Sequence, residues 1–219
     1  MITSQLDKNF CLIAFIPFIL SVFICYSILR KFKHELTIYY LSMLHATFAS
    51  IYSLIGLNIL KNVNEYSIVF VIGGHVSLGY FCVDLINILL KKDNKNNIAM
   101  ILHHIIFSLV IIWMIYQVKY HMFGLSVIFT ELSTILLNFY HIITFYSKIN
   151  NKFKKLIPLQ VILFSVVFFT VRILFLSWLA LTYYIIIFED FILLTVCIFT
   201  LGINYYWFYK IFKKLLIFF

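Results

Sequence analysis

The chain has 219 residues, 64% of them apolar or aromatic and only 11% charged, with 17 Lys and Arg against 8 Asp and Glu. Soluble domains are about 25% charged, so this composition cannot clothe a water-soluble sphere, and 25 Phe with 15 Tyr exclude a disordered chain. What remains is an all-α polytopic membrane protein, and at ~20 residues per span the length admits a bundle of about seven helices with short loops and no soluble domain.

The first apolar run, 9–29, is longer than the core of a signal peptide, and Arg30, Lys31 and Lys33 follow it instead of preceding it. Residues 1–33 therefore read as a retained transmembrane anchor. Further spans are predicted at about 37–60, 66–90, 98–118, 122–146, 156–185 and 191–209, with a tight turn at 119–121 and a sixth span long enough to tilt or pass the interface. Residues 34–214 make up the main membrane domain, and 215–219 a short tail.

Thirteen of the 17 basic residues fall on one side of seven such crossings: Arg30, Lys31, Lys33, Lys91, Lys92, Lys95, Lys148, Lys152, Lys154, Lys155, Lys210, Lys213 and Lys214. Lys8, Lys61 and Lys119 fall on the other, with Glu65, Glu189 and Asp190. By the positive-inside rule the basic side is cytosolic, so the N-terminus is lumenal or exterior and the C-terminus cytosolic. The charge surplus is thus a topology signal, and no nucleic-acid partner is expected. Cys11, Cys25, Cys82 and Cys197 lie inside spans, where disulfides do not form, and are expected as free thiols.

Ionisable side chains at bilayer depth are costly and point to function. Asp84, His103, His104, Glu131 and Arg172 lie within spans, with His45, His75 and His141 as weaker companions. In the third span Gly73, Ser77, Tyr80, Asp84 and Asn87 recur at helical spacing; in the fifth Glu131, Thr134, Asn138 and His141 do so, and in the second Ser42, His45, Ala49, Ser53 and Gly56. Such stripes imply an interior cavity or a polar packing seam, and small residues are also ordinary contacts between membrane helices. Counting residues from the span ends places Asp84, His103, His104 and His141 about 8–9 Å below the cytosolic surface, with Glu131 and Arg172 deeper. The expectation is a cluster of Asp84, His103, His104, Asn138 and His141 opening to the cytosol, above a Glu131–Arg172 ion pair.

Adjacent helical residues point about 100° apart, so one of His103 and His104 would act as general base or acyl acceptor, oriented by Asp84, while the other packs. No metal is expected, since the paired-His spacings of membrane di-iron enzymes are absent. A receptor is disfavoured because the external side has no Cys pair and the seventh span no Asn-Pro; a transporter is disfavoured because repeats and broken helices are lacking.

Gly79-Tyr80-Phe81-Cys82-Val83-Asp84, the His103-His104 pair after a short basic loop, and Glu131-Leu132-Ser133-Thr134 with Asn138 together resemble the TLC domain. Ceramide synthases, translocating-chain-associating membrane proteins, a ceroid lipofuscinosis protein and smaller TLC-domain-containing proteins share that domain. The likeness covers roughly residues 34–214 and is nearer to the small members. Phe107 stands where ceramide synthases have a Thr after the His pair, and Thr130, Glu131, Thr134 and Asn138 stand where they have a His-Asp, a second Asp and a Glu. Ile135 replaces the Pro of the small members' Glu-x-Ser-Thr-Pro.

The resemblance implies a protein of the endoplasmic reticulum, with the plasma membrane as alternative, that binds, senses or processes acyl-chain or ceramide-like lipids and so influences membrane lipid composition. Its lipid-binding residues would be Tyr80, Glu131, Thr134, Asn138, His141 and Arg172. The alternative is a ceramide synthase-like N-acyltransferase in which His103, His104 and Asp84 are catalytic. No cofactor is expected, acyl-CoA being the co-substrate under the enzyme reading. The partners are membrane lipids, with acyl-CoA or a ceramide-like lipid as ligand and a homodimer left open.

Overall fold

The structure, a computed structural model, describes residues 3–31, 36–62, 65–90 and 98–216, with side chains from residue 15 onward. Lys33, Lys91, Lys92, Lys95 and residues 217–219, together with the side chains of Lys8 and Cys11, lie outside the described residues.

Among the described residues ten α-helices follow one another: α1 (Thr3–Lys31), α2 (Thr37–Ile59), α3 (Ile68–Leu90), α4 (Ile98–Gln117), α5 (His121–Phe129), α6 (Leu132–Ser147), α7 (Ile157–Phe168), α8 (Phe175–Thr182), α9 (Tyr184–Glu189) and α10 (Phe191–Leu215). A 3-10 turn, Asn151–Leu156, precedes α7, and a π-helical segment, Phe169–Leu174, joins α7 to α8. Among the described residues, six stretches are long and apolar enough to cross a membrane: α2, α3, α4, His121–Ser147, Asn151–Thr182 and α10. The 29-residue α1 stands where the first span was expected and exposes Phe15, Ile16, Ile19, Leu20, Phe23 and Ile24. The chain is an all-α polytopic membrane protein.

Two ends differ from the sequence reading. The sixth span stops at Tyr183, and a short separate helix, α9, follows it. α10 continues to Leu215, six residues past the expected end, because Lys210 and Lys213 lie over the rings of Tyr206 and Tyr209 four positions earlier and leave the helix intact. At its start Asp190 accepts from the amides of Ile192 and Leu193, both at 3.0 Å, satisfying donors the helix leaves unpaired.

The chain divides into two compact units, residues 1–41 with 51–128, and residues 42–50 with 129–219. In the first, α1 packs along α3. Lipid supplies no hydrophobic drive between helices, so close approach depends on small residues. A Cβ on Gly79 would sit 2.7 Å from the Ser21 Cβ and 2.9 Å from the Phe18 carbonyl oxygen, and Ser21 Oγ donates to the Val76 carbonyl at 2.8 Å. The Tyr52 ring fills the space over Gly73, and its hydroxyl lies 3.0 Å from Ser77 Oγ. Gly56 of α2 receives Leu125 in the same way. The Gly73–Ser77 part of the α3 stripe is therefore a packed seam, and Gly56 of the α2 stripe is likewise a contact residue.

The turn between α4 and α5 is tight because Val118 and Tyr120 take φ of 54° and 60°, a left-handed conformation that non-glycine residues rarely adopt. His121, 0% exposed, holds it. Its Nδ1 accepts from the Ser67 amide at 2.9 Å, which leaves the proton on Nε2 to donate to the Met114 carbonyl at 3.2 Å. The ring also lies against Tyr66 and Phe70. His121→Phe keeps the ring volume but strands a buried donor and acceptor, so thermal unfolding in detergent should reveal a loss of about 1–3 kcal/mol per stranded group; an unchanged midpoint would show the clamp to be idle.

In the second unit α6, α7 and α10 pack around Phe164, Phe168 and Ile173, with Leu136, Leu137, Trp207, Phe208 and Ile211 against them. Pro158 sits in the first turn of α7, where its missing donor costs nothing. The helix is interrupted at Thr130–Glu131, inside the His121–Ser147 stretch, and Ser133 Oγ donates to the Thr130 carbonyl at 3.0 Å there.

Candidate functional site

The structure assembles the predicted polar residues into two clusters, one in each unit. In the first unit Asp84 lies six residues before the end of α3 and His104 six residues after the start of α4, about 9 Å along each helix. His104 Nε2 approaches Asp84 Oδ2 to 2.9 Å, with side-chain exposures of 5% and 13%. The oxygen does not meet the geometry of an aligned hydrogen bond to Nε2, so the contact is a close approach of carboxylate and imidazole.

The two neighbouring histidines thus have different surroundings. His103 is buried with its ring centroid 4.3 Å from that of Phe107 and 6.4 Å from Phe81. Phe107 thus gives His103 an aromatic neighbour. His104 is the one against the carboxylate. Both of its ring nitrogens are buried without a hydrogen-bond partner among the described residues, and with the proton on the Nε2 side facing Asp84, Nδ1 is a lone-pair acceptor. Asn87 Nδ2, one turn beyond Asp84 on α3, is buried and unpartnered as well. Tyr80, one turn before Asp84, is buried with its ring 5.8 Å from that of Phe81. A carboxylate, an imidazole with an unengaged nitrogen and an unengaged amide therefore occur together at bilayer depth.

In the second unit Arg172 lies in the π-helical segment and is 5% exposed. Its Nη2 donates to Glu131 Oε1 at 3.1 Å and to Thr134 Oγ1 at 3.0 Å, its Nε to Ser133 Oγ at 2.7 Å and its Nη1 to Asn204 Oδ1 at 3.3 Å. The Phe168 ring lies 5.5 Å from the guanidinium carbon. Arg presents a rigid planar fork of donors, and partners from three segments meet it. Asn138 Nδ2 donates to Ser42 Oγ and to the Thr134 carbonyl, both at 2.9 Å. His141 is half-buried, its ring 5.4 Å from that of Tyr140.

The Glu131–Arg172 ion pair expected from sequence is present. Of the cluster expected above it, Asp84, His103 and His104 belong to the first unit, and Asn138 and His141 to the second. Ser133 and Asn204 were not among the expected site residues. The signal for Asn204 was there: an amide in mid-span, one turn after Thr200, to whose carbonyl its Nδ2 donates at 2.8 Å. Among the described residues no three of His, Cys, Asp or Glu gather as a metal ion would require, and Cys25, Cys82 and Cys197 are free thiols.

A family model described as the TLC domain matches residues 35–213. Neither the curated proteins nor the solved structures contain a significant match to the chain.

Proposed function

The chain belongs to the TLC-domain family, and from that premise we propose that it binds or processes acyl-chain or ceramide-like lipids through the polar group built on Asp84 and His104, and so influences membrane lipid composition. The observation that carries this reading is the unpartnered Nδ1 of His104, on a ring whose other nitrogen meets a carboxylate inside a membrane-crossing helix. Lipid tails offer no hydrogen bond, so the amide or hydroxyl of a lipid near its polar head is the natural partner. In the second unit the polar groups around Arg172 bond one another, which suits a structural role for Glu131 and Thr134 better than ligand contact. The orientation that fits the basic residues has the N-terminus lumenal or exterior, and the endoplasmic reticulum is the compartment that suits the family.

A second reading is favoured by the same pair. In N-acyl transfer a sphingoid amine attacks the thioester carbon of acyl-CoA, the carbon–sulfur bond breaks, and the amine's proton must leave. His104 Nδ1 would take that proton, with Asp84 stabilising the imidazolium and the thiolate leaving as CoA.

Purified protein incubated with a photoactivatable sphingoid base and acyl-CoA distinguishes the two readings. Crosslinking is expected to fall about tenfold or more in Asp84→Asn and His104→Ala, the scale of a lost hydrogen bond to a charged group, and to change little in His103→Ala. Amide product that disappears with His104→Ala establishes the enzyme. Crosslinking that survives both substitutions in folded protein overturns the site.

A further inference from the structure

Seven lysines gather at one end of the second unit. Lys148 follows α6, Lys152, Lys154 and Lys155 lie in the 3-10 turn, and Lys210, Lys213 and Lys214 lie in the last turns of α10. α7 leaves that turn and packs against both α6 and α10, and Lys214 Nζ donates to Tyr140 Oη at 2.7 Å, joining the end of α10 to α6. Three chain segments thus deliver ammonium groups to one place. All seven lysines are exposed, and none meets a carboxylate among the described residues. The acidic residues of this unit are Glu131, which pairs with Arg172, and Glu189 and Asp190 at the other end, where α10 begins.

Aromatic rings hold three of these cations in place. Lys210, Lys213 and Lys214 sit 4.5, 4.7 and 4.3 Å from the ring centroids of Tyr206, Tyr209 and Tyr140. A ring attracts an ammonium without neutralising it, so the site is ordered yet keeps its charge. The depth is also defined. The 25 residues of α10 extend ~37 Å, more than the ~30 Å of hydrocarbon. The exposed Tyr205, Tyr206 and Tyr209 suit the interface, and the lysines follow at the level of lipid phosphates.

We propose that this end of the second unit is a binding surface for a membrane lipid whose headgroup carries two or more phosphates. Lys213 and Lys214 follow Lys210 by three and four residues, on the adjoining turn, and a singly charged headgroup would leave most of their mutual repulsion in place. A headgroup with several phosphates bridges them and can reach the lysines of the turn. Neither Asp84 nor His104 takes part, so the surface stands apart from the lipid chemistry proposed above.

Native mass spectrometry of the full chain in detergent tests this, with phosphatidylcholine, phosphatidylserine and phosphatidylinositol bisphosphate as probes. The bisphosphate lipid should be retained about tenfold more tightly than phosphatidylserine, as several additional lysine–phosphate contacts would give. Replacing Lys210, Lys213 and Lys214 together by Gln should bring it down to the phosphatidylserine level, and replacing them by Arg should preserve it. Should the Gln variant fail to fold, Lys148, Lys152, Lys154 and Lys155 changed to Gln provide the same test on the turn. Equal retention of the two anionic lipids overturns the proposal, as does retention indifferent to the lysines in folded protein. Equally tight binding of water-soluble inositol phosphate, showing a free anion to be the ligand, also overturns it.

Discussion

Arg172→Leu is expected to destabilise the protein by about 3–5 kcal/mol, the scale of breaking a buried ion pair from one side. Glu131 would be left as a charge without its cation, and Ser133, Thr134 and Asn204 would lose the donors they receive now. Thermal unfolding in mild detergent, read by the loss of the monodisperse gel-filtration peak, measures the effect. Arg172→Lys should recover little of the loss, because one ammonium cannot reach side chains that meet three different nitrogens. The double variant Glu131→Gln, Arg172→Leu should recover a larger part, since neither charge remains to be buried alone. If Arg172→Leu unfolded at the wild-type temperature, the network would have no structural role.

Gly73→Ala is expected to cost about 1–3 kcal/mol, in the range of overpacked cores. The new Cβ would lie 2.5 Å from two carbons of the Tyr52 ring, which must move and in doing so abandons Ser77. Tyr52→Ala alone destabilises by leaving a void. Combined, the two substitutions should cost less than their sum, because removing the ring makes room for the methyl group; a double-mutant cycle on unfolding temperatures reads this coupling. Strict additivity would mean that the seam between α2 and α3 is looser than the close approach indicates.

The six spans from α2 to α10 were legible because hydropathy reports length and composition, which a bilayer constrains more tightly than anything else. The two irregular places were not. Neither Thr130–Glu131 nor Phe169–Leu174 contains Pro or Gly, the residues that usually mark a broken helix, and both lie where the polar side chains around Arg172 converge. The Glu131–Arg172 pair could be anticipated from depth alone, since two opposite charges at one level of the membrane have few other partners. Ser133, named only within the Glu131–Thr134 run, and Asn204 were not expected as partners of Arg172 because Ser and Asn in a span are as often local backbone partners as network members. Which of His103 and His104 meets Asp84 depends on the rotation of α4, which residue spacing does not determine. His121, at the border of a predicted turn, gave no sign that both its ring nitrogens would be used.

The π-helical segment has a consequence for the phase of its helix. Each of its hydrogen-bonded rings encloses one residue more than an α-turn, so α8 is displaced by about 100° and 1.5 Å from where α7 would have carried it. The angular register of Leu176 and Leu179, the buried residues of α8, is therefore tied to the same six residues that carry Arg172. The extra residue makes this stretch sensitive to chain length as well as to residue type: the π-helical turns that carry the guanidinium also index the faces of everything after them in the span.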